Sequence, residues 1–267
     1  MFANPPLIEL IAELRWIPGQ ASPVVPGSLG PGIQFPLVGL NVEQTFSNFS
    51  NQVAQRGFGL SERLVPPGFP YIPFSVAYRF RKSPSQRENF LYQIGSGIFS
   101  ANALPPYREW DRFRPVVREG VGALLISRHE SENGDFTSII LRYIDLFSDE
   151  FTEGRSSFNF LNELLGIRIE LPNVVRSQTQ DLGKVQAGLQ ISLPLSTGLQ
   201  MNLNFQQGQA AGKTGIIMTT EVFTVSATPA QLEPVMQTFD NAHNSIRSTF
   251  LGLTEKLRAK MRPVSIQ

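Results

Sequence analysis

The segment TPAQLEPVMQTFDNAHNSIRSTFLGLTEKLRAKMR, residues 228–262, carries a long row of apolar side chains. The row recurs in alternating steps of three and four and consists of Met236, Phe239, Ile246, Phe250, Leu253 and Leu257, with His243 in its one gap. Such spacing places side chains along one face of an α-helix. From Val235 to Lys260 this helix would be roughly 39 Å long, at 1.5 Å per residue. An apolar stripe of that length needs a cover from the rest of the chain.

The start of this helix carries two conflicting signals. Thr228 is a suitable N-cap, Pro229 suits the first helical position, and Gln231 completes a capping box. Pro234 lies deeper, where a proline inside a helix costs roughly 3 kcal/mol. We therefore expect the helix either to begin at Pro234 or to bend there.

The segment before the helix predicts the cover. Leu199, Met201, Leu203 and Phe205 alternate with glutamine and asparagine, and the stretches 185–193 and 216–226 have comparable β character. Alternation of this kind indicates antiparallel strands with one apolar and one solvated face. We expect the final helix to pack on the apolar face of this meander.

The remaining elements are predicted from the same two periodicities. We expect strands over Leu7–Trp16, Phe74–Lys82, Asn89–Ser100 and Phe136–Phe147, helices over Asn41–Arg56, Tyr107–Ser127 and Ser156–Leu165, and a brief strand over Ile167–Leu171. Pro115 predicts a helix start near Asp111 or a kink. Two connections are long and rich in proline, residues 17–40, which we expect to form a surface loop, and Leu64–Pro73.

Together these elements predict an α+β protein, in which a mostly antiparallel sheet is covered by two long helices. We expect a single domain over residues 1–267. Its element order suggests two similar strand-helix-strand-strand-helix halves, 1–128 and 129–267, although their residues do not match.

Composition narrows the functional classes. The net charge is +1, which gives no general electrostatic attraction to nucleic acid or to an acidic membrane. The chain has no cysteine, which excludes disulfides, thiol catalysis and cysteine zinc sites. Its first residues lack the pattern of a signal peptide, and no apolar run is long enough to span a bilayer. We expect a soluble cytoplasmic protein that does not engage a membrane.

No cofactor or metal site is predicted. The tract Gly208–Thr214 resembles a phosphate-binding loop, but it has three residues between glycines where four are needed. It is also followed by a β pattern instead of a helix, so a hairpin loop is the better interpretation. With only two histidines and no cysteine, a transition-metal site would depend on carboxylates at spacings that we do not find.

Four polar residues could line a ligand pocket between the sheet and the final helix: His243, Asp240, Asp145 and Arg142. A histidine paired with a carboxylate could act as a general base. The alternative is a histidine at the edge of the core that hydrogen-bonds a neighbouring strand. Asp145 could instead be a surface acid at the end of a strand. No catalytic residue is assigned, and we favour a protein that is not an enzyme.

A basic and aromatic bias between residues 79 and 118 suggests another partner. The arginines concerned are Arg79, Arg81, Arg112, Arg114 and Arg118. Basic and aromatic side chains together bind single-stranded nucleic acid. However, the aromatic residues lie on the predicted core faces and nearby acids dilute the charge, so this is the weaker hypothesis.

Several short stretches together resemble a sporadically distributed family of uncharacterised prokaryotic proteins of about this length. They are Asn4–Glu9, Tyr78–Arg81, Ile94–Asn102 running into Tyr107, Trp110 and Phe113, Leu141–Ile144, and Ala242–His243 followed by Phe250. The resemblance spans nearly the whole chain and is most specific between Gly95 and Phe113. It implies no established activity, and the patchy distribution implies a defence or toxin–antitoxin context. The proline-rich residues 17–40 are not expected in most members.

The sequence therefore favours a non-enzymatic binding or regulatory protein. Its two long loops and long helix, without a convergent catalytic set, predict that it binds another protein or itself. A small-ligand sensor or enzyme and a nucleic-acid-binding protein are the alternatives.

Overall fold

A computed structural model describes residues 2–18, 40–82, 89–105, 109–210 and 212–264. The described strands are β1 (Leu7–Arg15), β2 (Leu60–Arg63), β3 (Val76–Arg81), β4 (Phe90–Gly95), β5 (Ile98–Ala103), β6 (Ser138–Ser148), β7 (Leu189–Pro194), β8 (Leu199–Ala210) and β9 (Lys213–Thr224). The helices are α1 (Leu40–Ala54), α2 (Trp110–Ser127), α3 (Asp149–Thr152), α4 (Ser157–Asn159), α5 (Asn173–Arg176), α6 (Leu232–Leu253) and α7 (Arg258–Met261). The predicted α+β class with a mostly antiparallel sheet is confirmed.

The chain divides into two compact units. The N-terminal unit contains Ile11–Ile140 and Thr224–Phe239, and the C-terminal unit contains Met1–Leu10, Leu141–Phe223 and Asp240–Gln267. Three elements, β1, β6 and α6, are therefore divided between the units. Of the predicted surface loop 17–40, residues 19–39 lie outside the described residues.

The sheet of the N-terminal unit follows the order β2-β3-β4-β5, continued by its part of β1. One face of this sheet is covered by α1 and α2. Phe49 of α1 contacts Phe80, Tyr92 and Phe99 with ring centroids 5.3–6.0 Å apart. Gly120 lets α2 approach closely, because a Cβ there would lie 2.5 Å from the Tyr92 ring.

In the C-terminal unit the strand order is β6-β9-β8-β7, preceded by its part of β1. The predicted apolar face of the meander is buried at Leu199, Met201, Leu203 and Phe205. The residues of α6 in this unit cover it, since Thr249 Oγ1 lies 3.7 Å from Met201 Sδ. The expectation that the final helix covers the chain's own sheet is confirmed here.

Both units place one helix after their strands. The N-terminal strand order β3-β4-β5-β1 parallels the C-terminal order β7-β8-β9-β6, and α2 corresponds in chain order to α6. A structural duplication with halves near 1–128 and 129–267 stays a proposal that this connectivity supports.

Three local predictions were wrong. The expected strand 89–100 is two strands, β4 and β5, because Gly97 turns the chain with a φ of 73°. Residues 167–171 form no strand. Thr228 does not cap a helix, since its backbone exchanges two hydrogen bonds of 2.9 Å with Phe136.

The first residues of α6 and α2 are close to those that the prolines of these helices predict. Because α6 begins at Leu232, Pro234 lies in its first turn, where a missing N–H costs no internal hydrogen bond. Helix α2 begins at Trp110, next to the Asp111 start that Pro115 predicted. Within the described residues, no helix is both long and apolar enough to cross a membrane.

Candidate functional site

His243 bonds a tyrosine of the sheet. Its Nδ1 lies 2.7 Å from Tyr143 Oη, and the two rings are 6.1 Å apart at 31°. Both side chains are half-buried. This is the geometry of the second interpretation, a histidine at the edge of the core held by a neighbouring strand. Asp240, also half-buried, precedes His243 by about one helical turn.

Strands β6 and β9 run antiparallel through this region. The Ile139 N–H donates to Thr224 Oγ1 (3.0 Å), and Arg142 Nε donates to Glu221 (2.7 Å). Further along β6, a Cβ on Gly215 would lie 2.3 Å from the carbonyl oxygen of Phe147. Residue numbers therefore increase along β6 where they decrease along β9, as expected for an antiparallel pair.

Alternation along β6 separates the four predicted ligand residues. Arg142 lies on the face where it meets Glu221, so Tyr143 and Asp145 lie on the opposite face, with His243. The structure therefore brings Asp145 to the same side of the sheet as His243 and separates Arg142 from both. Arg142 is engaged in an ion pair with Glu221 instead.

Asp145 is a buried acid on the side of β6 that faces His243. It is 3% exposed, and burial raises the pKa of its carboxyl to about 8. In the part of the chain that the structure describes, this carboxyl makes no hydrogen bond or ion pair. On the same side of the sheet, β9 contributes Met218 and Thr220, which are also buried. The predicted alternative of a surface acid is wrong, because Asp145 is only 3% exposed. A carboxyl in this setting keeps its proton near neutral pH.

The five predicted arginines do not form one surface. Arg79 and Arg81 alternate along β3 with Tyr78 and Phe80, which pack on α1, so the two arginines lie on the face of the sheet opposite α1. The other three, Arg112, Arg114 and Arg118, belong to α2. Arg118 forms two hydrogen bonds with Glu233, which neutralises it.

A cluster that the sequence did not predict lies around Glu43 of α1. Glu43 accepts hydrogen bonds from the hydroxyls of Tyr71 and Tyr78, the latter at 3.2 Å. Arg63 Nη2 donates to Tyr71 Oη at 2.9 Å and lies 3.4 Å from Glu43. Burial, and then the bond to Glu43, raise the pKa of Tyr71. The cluster joins α1, β2 and β3 to the segment that follows β2.

That segment, residues 64–75, is fixed although much of it is exposed. Tyr71 is 8% exposed and packs edge-on against Phe46 at 5.4 Å. The Phe74 N–H donates to the Ser96 carbonyl at 2.7 Å, and the Ser75 N–H donates to the Ile72 carbonyl at 3.1 Å.

Apolar side chains project from this fixed segment into solvent. Phe69 is 63% exposed and Ile72 is 66% exposed, while Phe74 and Leu60 of β2 are also exposed. Phe74 holds a φ of 61°, a backbone conformation that costs a non-glycine residue roughly 1–2 kcal/mol. We define the β2 surface as strand β2 together with the side chains of Phe69, Ile72 and Phe74. The sequence signal for it was the spacing of apolar residues between prolines in 64–75.

Comparison with known proteins adds no assignment. No protein-family model matches the chain, and none of the curated proteins is similar to it. The resemblance to an uncharacterised prokaryotic family stays a prediction. Among the described residues, no group of three or more acids or histidines could hold a metal ion.

Proposed function

We propose that this chain is a non-enzymatic binding or regulatory protein and that it contacts another protein through the β2 surface. The observation that carries the proposal is the exposure of Phe69, Ile72 and Phe74 on a segment fixed by the Glu43 cluster. The three side chains lie within six residues of one another along the chain, and contiguous exposed apolar groups mark interaction sites. Because the segment is already ordered, binding loses little conformational entropy, which favours affinity.

Aromatic side chains suit this role. Phenylalanine and tyrosine are enriched at protein interfaces, where a few buried anchors supply most of the binding energy. Phe69 and Ile72 would be such anchors, and Arg63 beside them would contribute polar contacts. The proposal includes the defence or toxin–antitoxin context that the resemblance implies.

Site-specific photocrosslinking tests the proposal. A photoreactive phenylalanine derivative replaces Ile72 in one variant and Ile126 in another, because Ile126 of α2 is equally exposed, at 68% against 66%. In cells of the source organism we expect a discrete crosslinked protein from position 72 and none from position 126. A partner that crosslinks from position 126 and not from position 72 would contradict the proposal.

A small-ligand role is the second candidate, and one contact favours it. The bond between Tyr143 and His243 links two ionisable side chains on the side of the sheet that also holds Asp145. A ligand there would meet a phenol, an imidazole and a neutral carboxyl, which suits a neutral or anionic polar compound. Thermal-shift screening of metabolites against wild type and His243→Gln tests this. Stabilisation that is unchanged in His243→Gln would exclude the site.

A further inference from the structure

Strand β2 lies at one end of the described strand order, and its outer edge carries backbone N–H and C=O groups. The Leu64 N–H donates to the carbonyl of Ala77 at 2.8 Å, and the antiparallel register pairs Glu62 with Arg79. Backbone groups alternate in direction along a strand, so those of Leu60 and Glu62 also face β3. The N–H and C=O groups of Ser61 and Arg63 therefore face away from β3. Across the described ranges, β3 is the one strand that pairs with β2.

The opposite end of the strand order shows a protected edge for comparison. In β7, whose neighbour is β8, the Leu195 N–H donates to Leu199 at 2.8 Å. By the same alternation, Gln190, Ser192 and Pro194 face outward, so proline closes one of the three outward positions of β7. Proline has no N–H to offer an added strand, and proteins commonly protect edges in this way. Strand β2 has no proline and is exposed along its length, and within the described ranges no hydrogen bond uses the outward N–H groups of Ser61 and Arg63.

The side chains of β2 indicate what kind of strand would fit. Arg63 uses Nε for the Val65 carbonyl and Nη2 for Tyr71, and within the described chain its Nη1 makes no hydrogen bond. An acidic side chain directly opposite Arg63 could accept from Nη1. Leu60, three residues earlier and on the other face of the strand, is exposed and would favour an apolar neighbour.

Pairing of β2 with a second copy of itself is less favourable. The antiparallel register that uses all four outward groups places Ser61 opposite Arg63 of the other copy. The same register sets the two Glu62 side chains directly opposite each other, and like charges at such positions are destabilising. The strand therefore fits a different partner better than its own copy.

We propose that β2 accepts an extended segment of its partner as an added antiparallel strand, with an acidic side chain opposite Arg63 and an apolar side chain three residues later, opposite Leu60. Four main-chain hydrogen bonds to Ser61 and Arg63 would hold the segment, as in other cases of strand addition. This inference rests on the proposed function, since it names the chemistry of the partner at the same surface.

Designed peptides test the chemistry directly. The probe is a blocked octapeptide of threonine with glutamate at its third position and isoleucine at its sixth. One control carries lysine in place of glutamate, and the other reverses the peptide sequence. We expect the amide signals of Ser61 and Arg63 to shift on titration in nuclear magnetic resonance spectra. The lysine peptide should bind about threefold to thirtyfold more weakly, from the usual strength of exposed charge pairs.

Variants of Ser61 test the added strand. Ser61→Pro removes an outward N–H without touching a bond to β3, whereas Ser61→Ala keeps that N–H and serves as the matched control. We expect at least a tenfold loss of peptide affinity in Ser61→Pro and no loss in Ser61→Ala. An N-methyl group on the peptide nitrogen facing the Ser61 carbonyl makes the same test without altering the protein.

The outcomes separate the two proposals. Equal binding of the glutamate and lysine peptides would overturn the acidic preference, and full binding by Ser61→Pro and by the N-methyl peptide would overturn strand addition. In either case the crosslink from position 72 would still form if the β2 surface binds a protein by another mode. Loss of that crosslink would overturn the proposed function itself.

Discussion

Replacing the buried acid Asp145 with asparagine should stabilise the C-terminal unit near neutral pH. Burial raises the pKa of Asp145 from its ordinary value of 3.8 to about 8. Between these values the folded protein holds a proton that the unfolded chain has released. The free energy of unfolding therefore falls as pH rises, by about 1.4 kcal/mol per pH unit for this one group. At pH 7 ionisation in the unfolded state costs the fold about 4 kcal/mol.

Asparagine cannot ionise, so Asp145→Asn removes this cost while nearly preserving the volume of the side chain. The gain in unfolding free energy over wild type should be near zero at pH 4 and should grow to about 4 kcal/mol at pH 7. Above pH 8 the gain should level off, because both the folded and unfolded wild-type chains are then ionised.

Urea unfolding followed by circular dichroism at half-unit steps from pH 4 to pH 9 measures this difference. Asp149→Asn is the matched control, because Asp149 lies four residues further along and is exposed. Its difference from wild type should stay small and nearly constant with pH. A flat difference for Asp145→Asn, or one that becomes more unfavourable as pH rises, would refute the reasoning. It would mean that the Asp145 carboxylate is stabilised in the folded state.

Further substitutions test other parts of the structure. Gly215→Ala should lower the unfolding free energy by more than about 2 kcal/mol, since its Cβ would meet the Phe147 carbonyl at 2.3 Å. Gly122→Ala in α2 has no atom near its Cβ and should raise the unfolding free energy by about 1 kcal/mol. Thermal unfolding of both variants checks this contrast. Tyr143→Phe removes the hydrogen bond to His243 and should lower the free energy of unfolding in urea by about 1 kcal/mol. A decrease below about 0.3 kcal/mol, which is on the order of the experimental error, would show that this hydrogen bond adds no stability. Because the five arginines are divided between a strand face and a helix, binding to a labelled single-stranded oligonucleotide should be undetectable at physiological salt. Tight binding with a steep salt dependence would contradict this.

The regular elements could be predicted because their periodicity extends over many residues. The apolar row from Met236 to Leu253 and the alternation from Leu199 to Phe205 each specify an element and its buried face. The predicted helix continued to Arg262, whereas α6 ends at Leu253 and Leu257 lies in a separate short turn. Strand β2 could not be predicted this way, since its four residues, Leu60–Arg63, are exposed and lack alternation. It exists because β3 offers it a partner, which is a tertiary effect.

The candidate sites were less predictable because they depend on which residues meet. The alternation of side chains along β6 is enough to place Arg142 and Asp145 on opposite faces of the sheet. Nothing local in the sequence, however, indicated that Tyr143 would bond His243, one hundred residues away. The Glu43 cluster likewise joins residues from four segments. In the sequence its tyrosines are indistinguishable from ordinary core or loop residues. Only the fold brings them together around one carboxylate.

The β2 surface is proposed to bind a protein partner. The most direct measurement is the affinity of the purified crosslinked partner for wild type, Ile72→Ser and Ile126→Ser by titration calorimetry. Burying an isoleucine that is two-thirds exposed contributes about 1–2 kcal/mol, so Ile72→Ser should bind roughly fivefold to thirtyfold more weakly. Ile126→Ser should bind like wild type. Equal affinity of Ile72→Ser and wild type would contradict the claim.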